Sequence, residues 1–100
     1  MKYKMLGKTG LFVSEMCLGT MTFGQSGGKY AAASGVIQAD ADAIIKTAFD
    51  AGINFVDTAD VYAGGQSEEI IGRAIKNLGL ARHELVLSTK MGHATGKGPN

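Results

Sequence analysis

Asp40-Ala41-Asp42-Ala43-Ile44-Ile45-Lys46-Thr47-Ala48-Phe49-Asp50-Ala51-Gly52-Ile53-Asn54-Phe55-Val56-Asp57 is the stretch that decides the fold. Ala41, Ile44, Ile45, Ala48 and Phe49 stand at the spacing of one apolar helical face. Asp40 suits the N-cap, and Gly52 suits the left-handed residue that ends a helix. Ile53-Asn54-Phe55-Val56 then reads as a short strand ending at Asp57. A helix that passes directly into a strand is half of an α/β unit.

The same pattern extends in both directions. Downstream, a polar, glycine-containing loop runs to Ser67, which suits the cap of a second helix. Glu68 and Glu69 fall favourably at its positive end. Ile70, Ile71, Ala74, Ile75 and Leu78 form its apolar face, and Gly79 ends it. Leu85-Val86-Leu87 predicts another strand, running out through Ser88 and Thr89 to Lys90. Upstream, Met16-Cys17-Leu18 reads as a strand closed by Gly19. Tyr3 to Leu6 and Leu11 to Ser14 flank Gly7-Lys8-Thr9-Gly10 as a hairpin. Residues 24–39, rich in glycine and alanine, read as a loop with little to anchor it, and Met91 to Asn100 as a patternless tail. The order hairpin, β, α, β, α, β forces parallel pairing, because each crossover helix returns the chain to the same end of the sheet. Two helices cover one face of such a sheet, whereas parallel sheets are normally covered on both. The chain is therefore expected to be a single domain, residues 1–100, belonging to a larger, truncated α/β protein. A complete mini-domain is the competing reading.

Composition narrows the function. Ten basic against nine acidic residues give a net charge of +1, which lacks the basic footprint of a nucleic-acid binder and the charge of a disordered acidic tail. Glycine, at 15 residues, is about twice its usual ~7% share. One proline and no Gly-x-y period exclude a collagen-like chain. The lone Cys17 can form no intramolecular disulfide and no cysteine-based metal site, so no metal is expected. No apolar core follows the basic start, and no run approaches the ~20 residues that span a bilayer. The expectation is a soluble cytoplasmic protein without a membrane partner.

Polar residues gather at the strand ends. Gly19-Thr20, Asp57 and Lys90 each follow a strand, and in parallel α/β folds these C-terminal ends share the edge where active sites form. Asp57 and Lys90, one crossover apart, should meet there, as a structural ion pair or as part of a site. Tyr62, five residues after Asp57, can fold back over both. A phenol is a weak acid at neutral pH, but a neighbouring cation stabilises the phenolate left by proton donation. Asp, Tyr and Lys together suit a proton donor; the plainer reading is a loop tyrosine packed on a helix. Gly64-Gly65-Gln66-Ser67 opens a helix as a phosphate cradle does, but Glu68 and Glu69 would repel a phosphate and no Gly-Lys-Ser/Thr follows; an ordinary helix start is expected. His83 reads as a surface residue and His93 as a loop residue near the active edge. Met16, Met21 and Met91 read as core or pocket lining, and Cys17 as a small buried hydrophobe.

Three segments resemble the N-terminal part of the aldo-keto reductases: Leu18-Gly19-Thr20-Met21-Thr22-Phe23-Gly24; Asn54 to Tyr62 with Gly65-Gln66-Ser67-Glu68-Glu69-Ile70-Ile71-Gly72; and Leu87-Ser88-Thr89-Lys90. The opening Leu6-Gly7-Lys8-Thr9-Gly10-Leu11 resembles the family's hairpin. The resemblance implies the first part of a (β/α)₈ TIM barrel, its bottom plugged by the hairpin. It implies reduction of a small-molecule aldehyde or ketone with NADPH. Asp57, Tyr62 and Lys90 match three of the family's four catalytic residues, with Tyr62 as proton donor, Lys90 supporting it and Asp57 holding Lys90. Gly19, Thr20 and Met21, with Asp57, would lie near the nicotinamide. The family often has a large aromatic where Met21 stands. The fourth catalytic residue, a histidine ending the fourth strand, would lie beyond Asn100, so neither His83 nor His93 takes that role; nor are the residues that grip the adenosine 2′-phosphate within this chain. The isolated 100 residues are expected to be inactive. The alternative is a regulatory subunit of the same fold that binds cofactor without turnover.

Overall fold

A computed structural model describes residues 1–99, leaving aside the side chains of 28–30. β1 (Tyr3–Met5) and β2 (Phe12–Ser14) form the antiparallel hairpin, with Tyr3 opposite Ser14 and Met5 opposite Phe12. β3 (Leu18–Gly19), β4 (Phe55–Asp57) and β5 (Val86–Ser88) form a parallel sheet in the order β3-β4-β5. The crossovers are α1 (Gln38–Asp50) and α2 (Gln66–Asn77). The α/β order is the expected one, but the strands lie toward the C-terminal side of their expected positions: Leu18–Gly19 in place of Met16–Leu18, and Val86–Ser88 in place of Leu85–Leu87. Of the tail, residues 91–99 contain no helix or strand; Asn100 lies outside the described residues.

Alternation along the strands divides the sheet into two faces. Val56, flanked in register by Leu18 and Leu87, faces the helices. It packs with Phe23, Ala41, Ile45, Ile70, Ile71 and Ala74. The neighbouring register row, Gly19, Asp57 and Ser88, belongs to the opposite face. Cys17 precedes β3 on that same alternate row and is exposed, which corrects the expectation that it is buried.

The first helix also differs at its edges. It begins at Gln38 after an extended Ile37, so Asp40 lies in its first turn, not at its cap. There its charge favours the N-terminal dipole without a capping bond. Its buried face is Ala41, Ile45 and Ala48; Phe49 is half-buried and Ile44 is exposed. Residues 24–36 are more tightly held than their composition suggests. The Gly24 amide donates to the Val36 carbonyl at 2.9 Å and the Gly35 amide to that of Gly24 at 2.8 Å, closing the neck of a loop that contains a short turn over Gly28–Ala33.

At the N-terminal end of β4, Asn54 fastens the hairpin. Its side chain accepts the Ser14 amide at 2.8 Å and donates to the Phe12 carbonyl at 3.0 Å. The Tyr3 hydroxyl adds a bond to the Gly52 carbonyl at 2.8 Å. Gly52 has φ 87°, and a Cβ there would stand 2.9 Å from Met1 Cβ; both the helix end and the hairpin's approach require glycine.

At the opposite end, three hydroxyls are buried between sheet and helix. Ser67 is fully buried within α2, which begins at Gln66 after Gly65. It is therefore not the cap expected of it. It accepts from Thr58 Oγ1 at 3.1 Å and donates to Thr20, whose carbonyl and Oγ1 both stand at 2.9 Å. Thr20 Oγ1 in turn donates to the Asp57 carbonyl at 3.1 Å. The single Ser67 proton is shared between the two Thr20 oxygens, so all three hydroxyls donate within the network, and a satisfied buried network rigidifies what it joins.

Asn54→Ala is expected to cost about 1–3 kcal/mol, the usual range for orphaning a buried group such as the Ser14 amide, and to speed amide exchange at Ser14 far more than at Val56. Equal protection of Ser14 in both proteins would refute the anchor. Ser67→Ala strands the Thr58 hydroxyl and should lower stability by about 1–3 kcal/mol in denaturant unfolding; a loss under ~0.5 kcal/mol, the size of an indifferent surface change, would count against the network.

Candidate active site

Pairing between the strands continues beyond their ends. The Thr58 amide donates to the Ser88 carbonyl at 2.8 Å and the Asp60 amide to that of Lys90 at 3.1 Å. Lys90 is thus drawn alongside the loop that follows Asp57. Its Nζ turns back to Asp57 Oδ2 at 2.5 Å and to the Thr58 carbonyl at 2.6 Å. Ser88, directly across from Asp57, donates to Oδ1 at 3.0 Å. The carboxylate is held at one oxygen by Ser88, the last residue of β5, and at the other by Lys90, two residues beyond it.

Tyr62 reaches the same point from the loop. Its ring centroid lies 5.2 Å from Lys90 Nζ, within the range at which an ammonium is attracted by an aromatic face. The turn beyond it is unusual: Ala63, Gly64 and Gly65 have φ of 49°, 64° and 95°. A left-handed alanine costs about 1–2 kcal/mol, so the surroundings impose this conformation on the residue after Tyr62. Ala63 is buried against the close approach of Gly24, where an added Cβ would stand 2.8 Å from the Cβ atoms of both Ala63 and Gln66.

The ion pair sets the local electrostatics. The Lys90 ammonium holds the Asp57 carboxyl below the usual carboxylate range; partial burial opposes this and the Ser88 hydroxyl reinforces it. Conversely, Asp57 holds Lys90 above the usual lysine range, with Tyr62 a lesser contributor. Partial desolvation of the otherwise exposed Cys17 raises its thiol, and Asp57 adds to that shift. Asp57's stabilising contribution is therefore complete above its unfolded value of ~3.9 and lost as pH falls through its lower folded value; Lys90's is complete below its unfolded value of ~10.4 and lost as pH rises through its higher folded value. Both groups are charged at neutral pH.

Tyr62 and Lys90 border a cleft of about 610 Å³ whose wall includes Met21, Ser26, Ala33, Ser34, Met91 and His93. Asp57, Tyr62 and Lys90, expected together, are brought together. Gly19 stands opposite Asp57 in the sheet, exposed, and Met21 is 43% exposed on the cleft wall. Thr20 is wholly buried, its hydroxyl committed to the network beneath Asp57. His93 and Met91 are exposed on the cleft wall, whereas His83 lies in the turn Arg82–Glu84 and Met16 is exposed outside the cleft. Glu68, in the first turn of α2, accepts a bond from Thr89 Oγ1 at 2.6 Å, and Glu69 adds a second negative charge to that turn. Among the described residues no group of metal-ligating side chains gathers, and no helix is long and apolar enough to cross a membrane. Sequence reasoning missed Thr58, Ser67, Ser88 and Gly24. The signal for the hydroxyls was positional: Thr58 alternates with Val56, and Ser67 stands three, four and seven residues before Ile70, Ile71 and Ala74 on the buried stripe.

Comparison with known proteins places this geometry. Residues 15–100 match the family model described as the aldo/keto reductase family. Proteins named "Probable voltage-gated potassium channel subunit beta" from Oryza sativa subsp. japonica and Arabidopsis thaliana are 42% and 43% identical over the whole chain. Among solved structures, the holo form of an aldo-keto reductase from Bacillus halodurans superposes with a TM-score of 0.74 at 33% identity over 97% of this chain. A thermostable aldo-keto reductase in complex with the inhibitor epalrestat does so with a TM-score of 0.69 at 33% identity over 89%. The chain spans 28% of each plant protein and 28% and 30% of these two structures. With its α/β order, its three-stranded parallel sheet and its family match over residues 15–100, the chain belongs to the aldo/keto reductase family.

Proposed function

We propose that this chain contributes the proton-donor side of an NADP(H)-dependent reductase of aldehydes or ketones, acting in a barrel of full family length. The observation that carries this reading is the doubly anchored Lys90 ammonium, held by Asp57 and the Thr58 carbonyl with the Tyr62 ring beside it at a cleft. The exposed Gly19 and Met21 and the face bearing Asp57 suit the flat nicotinamide end of the cofactor. Thr20 supports that surface from behind through the Asp57 carbonyl. A dinucleotide bound there would supply hydride. Tyr62 orients the carbonyl oxygen and gives it a proton, and the charge that develops on the phenol oxygen is stabilised by Lys90. Asp57 keeps Lys90 charged and in place through the reaction. A reducing cytoplasmic setting suits the unpaired Cys17. A second reading, a cofactor-binding regulatory subunit, is favoured by the names of the two plant relatives and predicts binding without turnover.

In a full-length barrel carrying these residues, Tyr62→Phe should lower kcat/KM for a test aldehyde about 10²–10⁴-fold, the span of general acid catalysis, while NADPH affinity changes little. Turnover that survives the substitution removes Tyr62 as the donor; tight NADPH binding with no turnover in the unsubstituted protein favours the regulatory reading. The ion pair has its own test. Lys90→Met should raise the Asp57 carboxyl, followed by carbon-detected NMR titration, toward the ordinary ~3.9. An Asp57 titration that is the same in both proteins would show that the pair does not form in solution.

A further inference from the structure

Gln66 takes no part in the proton chemistry, yet it occupies a telling place. It is the first residue of α2, immediately after the left-handed run that follows Tyr62. Its carboxamide makes two bonds to a single distant residue: Oε1 accepts the Gln25 amide at 3.0 Å and Nε2 donates to the Gln25 carbonyl at 3.2 Å. A primary amide that engages both backbone groups of one residue substitutes for a neighbouring strand. Gln25 opens the loop whose Ser26, Ala33 and Ser34 line the cleft. Inside that loop, Ser34 Oγ accepts the Ser26 amide at 2.9 Å and lies 3.1 Å from the Ala31 carbonyl, so the loop is braced internally and closed at its neck. Such a loop shifts as a unit unless something outside it holds its base.

We propose that Gln66 is a positioning residue that fixes this cleft wall relative to Tyr62, and so sets how tightly the carbonyl substrate is held. The seam beside it supports this role. Gly24 packs so closely on Ala63 and Gln66 that an added Cβ would stand 2.8 Å from both. The base of the loop is thereby locked to the turn that bears Tyr62, and the Gln66 amide is the polar half of that lock. Because Gln66 is exposed, its loss leaves the core intact. The wall it holds faces the substrate, so the effect falls on substrate binding more than on the chemical step. This inference rests on the proposed carbonyl reduction for its kinetic consequence but not for the clamp itself.

The test uses the full-length protein, with 4-nitrobenzaldehyde as probe and amide exchange as a readout independent of turnover. Gln66→Leu keeps the size and removes both bonds. The Gln25 amide should then exchange about tenfold faster, as expected for local opening, and KM should rise about fivefold with a smaller change in kcat, the mark of lost ground-state binding. Gln66→Glu retains the acceptor for the Gln25 amide and loses the donor; it should keep that amide protected and give an intermediate KM. Unchanged Gln25 exchange in Gln66→Leu overturns the clamp. Faster exchange with an unchanged KM overturns its role in binding. An unsubstituted protein that reduces no aldehyde overturns the proposed reaction instead, and the exchange result still decides the clamp.

Discussion

Side chains on a strand alternate between faces, so the pairing of Gly19 with Asp57 and of Asp57 with Ser88 decides what every neighbouring residue can do. With that register, Val56 enters the core and Asp57 faces away from the helices. A slip of one residue would bury the carboxylate among Ile45, Ile70 and Ile71 and expose the valine. The same alternation carries Ser88 and Lys90 to the Asp57 side, and Thr20 and Thr58 to the helix side. The site and the core are two faces of one pairing scheme. The hydroxyl chain through Ser67 fixes that scheme at the end where the strands give way to loops, and Asn54 fixes it at the other.

The loop after β4 carries the conformational cost. Ala63 adopts a backbone that alanine disfavours, beside two glycines that accept it readily. The site retains that strain because Ala63 is buried against Gly24 and because the amides of Tyr62 and Gly64 are satisfied by the carbonyls of Ala59 and Val61. Strained residues persist only where surrounding contacts over-determine them, and they concentrate at functional sites. Here the strain directly follows the tyrosine whose direction matters most.

Much of this was legible in the sequence, for identifiable reasons. Apolar spacing locates both helices, and the β-α-β order alone brings Asp57 and Lys90 to one edge. Polar residues on apolar stripes were harder to read. Ser67 looks like a helix cap because serine commonly caps helices, and here the cap, Gly65, and the buried pin stand only two positions apart. Asp40 misled in the same way, since the helix started earlier, at Gln38. Cys17 looks buried because it lies in an apolar run, but its alternation partner is Gly19, and the row of Gly19 faces away from the helices. The seam between Gly24 and Gln66 could not be read at all, because it depends on how closely two loops distant in sequence approach.

The geometry around Lys90 is hard to explain by stability alone. Its side chain is 47% exposed and that of Asp57 35%. Ion pairs so open to water are screened and contribute little to folding, while holding a long, flexible lysine in one conformation carries an entropic cost. A structural ion pair would need only Asp57. Here the ammonium is also held by the Thr58 carbonyl, and Thr58 is in turn pinned by Ser67 and by the Ser88 carbonyl. A buried hydroxyl chain thus fixes the position of an exposed charge. Such an arrangement adds little to the folded state's stability, but it holds a cation 5.2 Å from the centroid of the Tyr62 ring. The proposed proton donation would draw on that preorganisation, because a charge already in place needs no reorganisation when a proton moves.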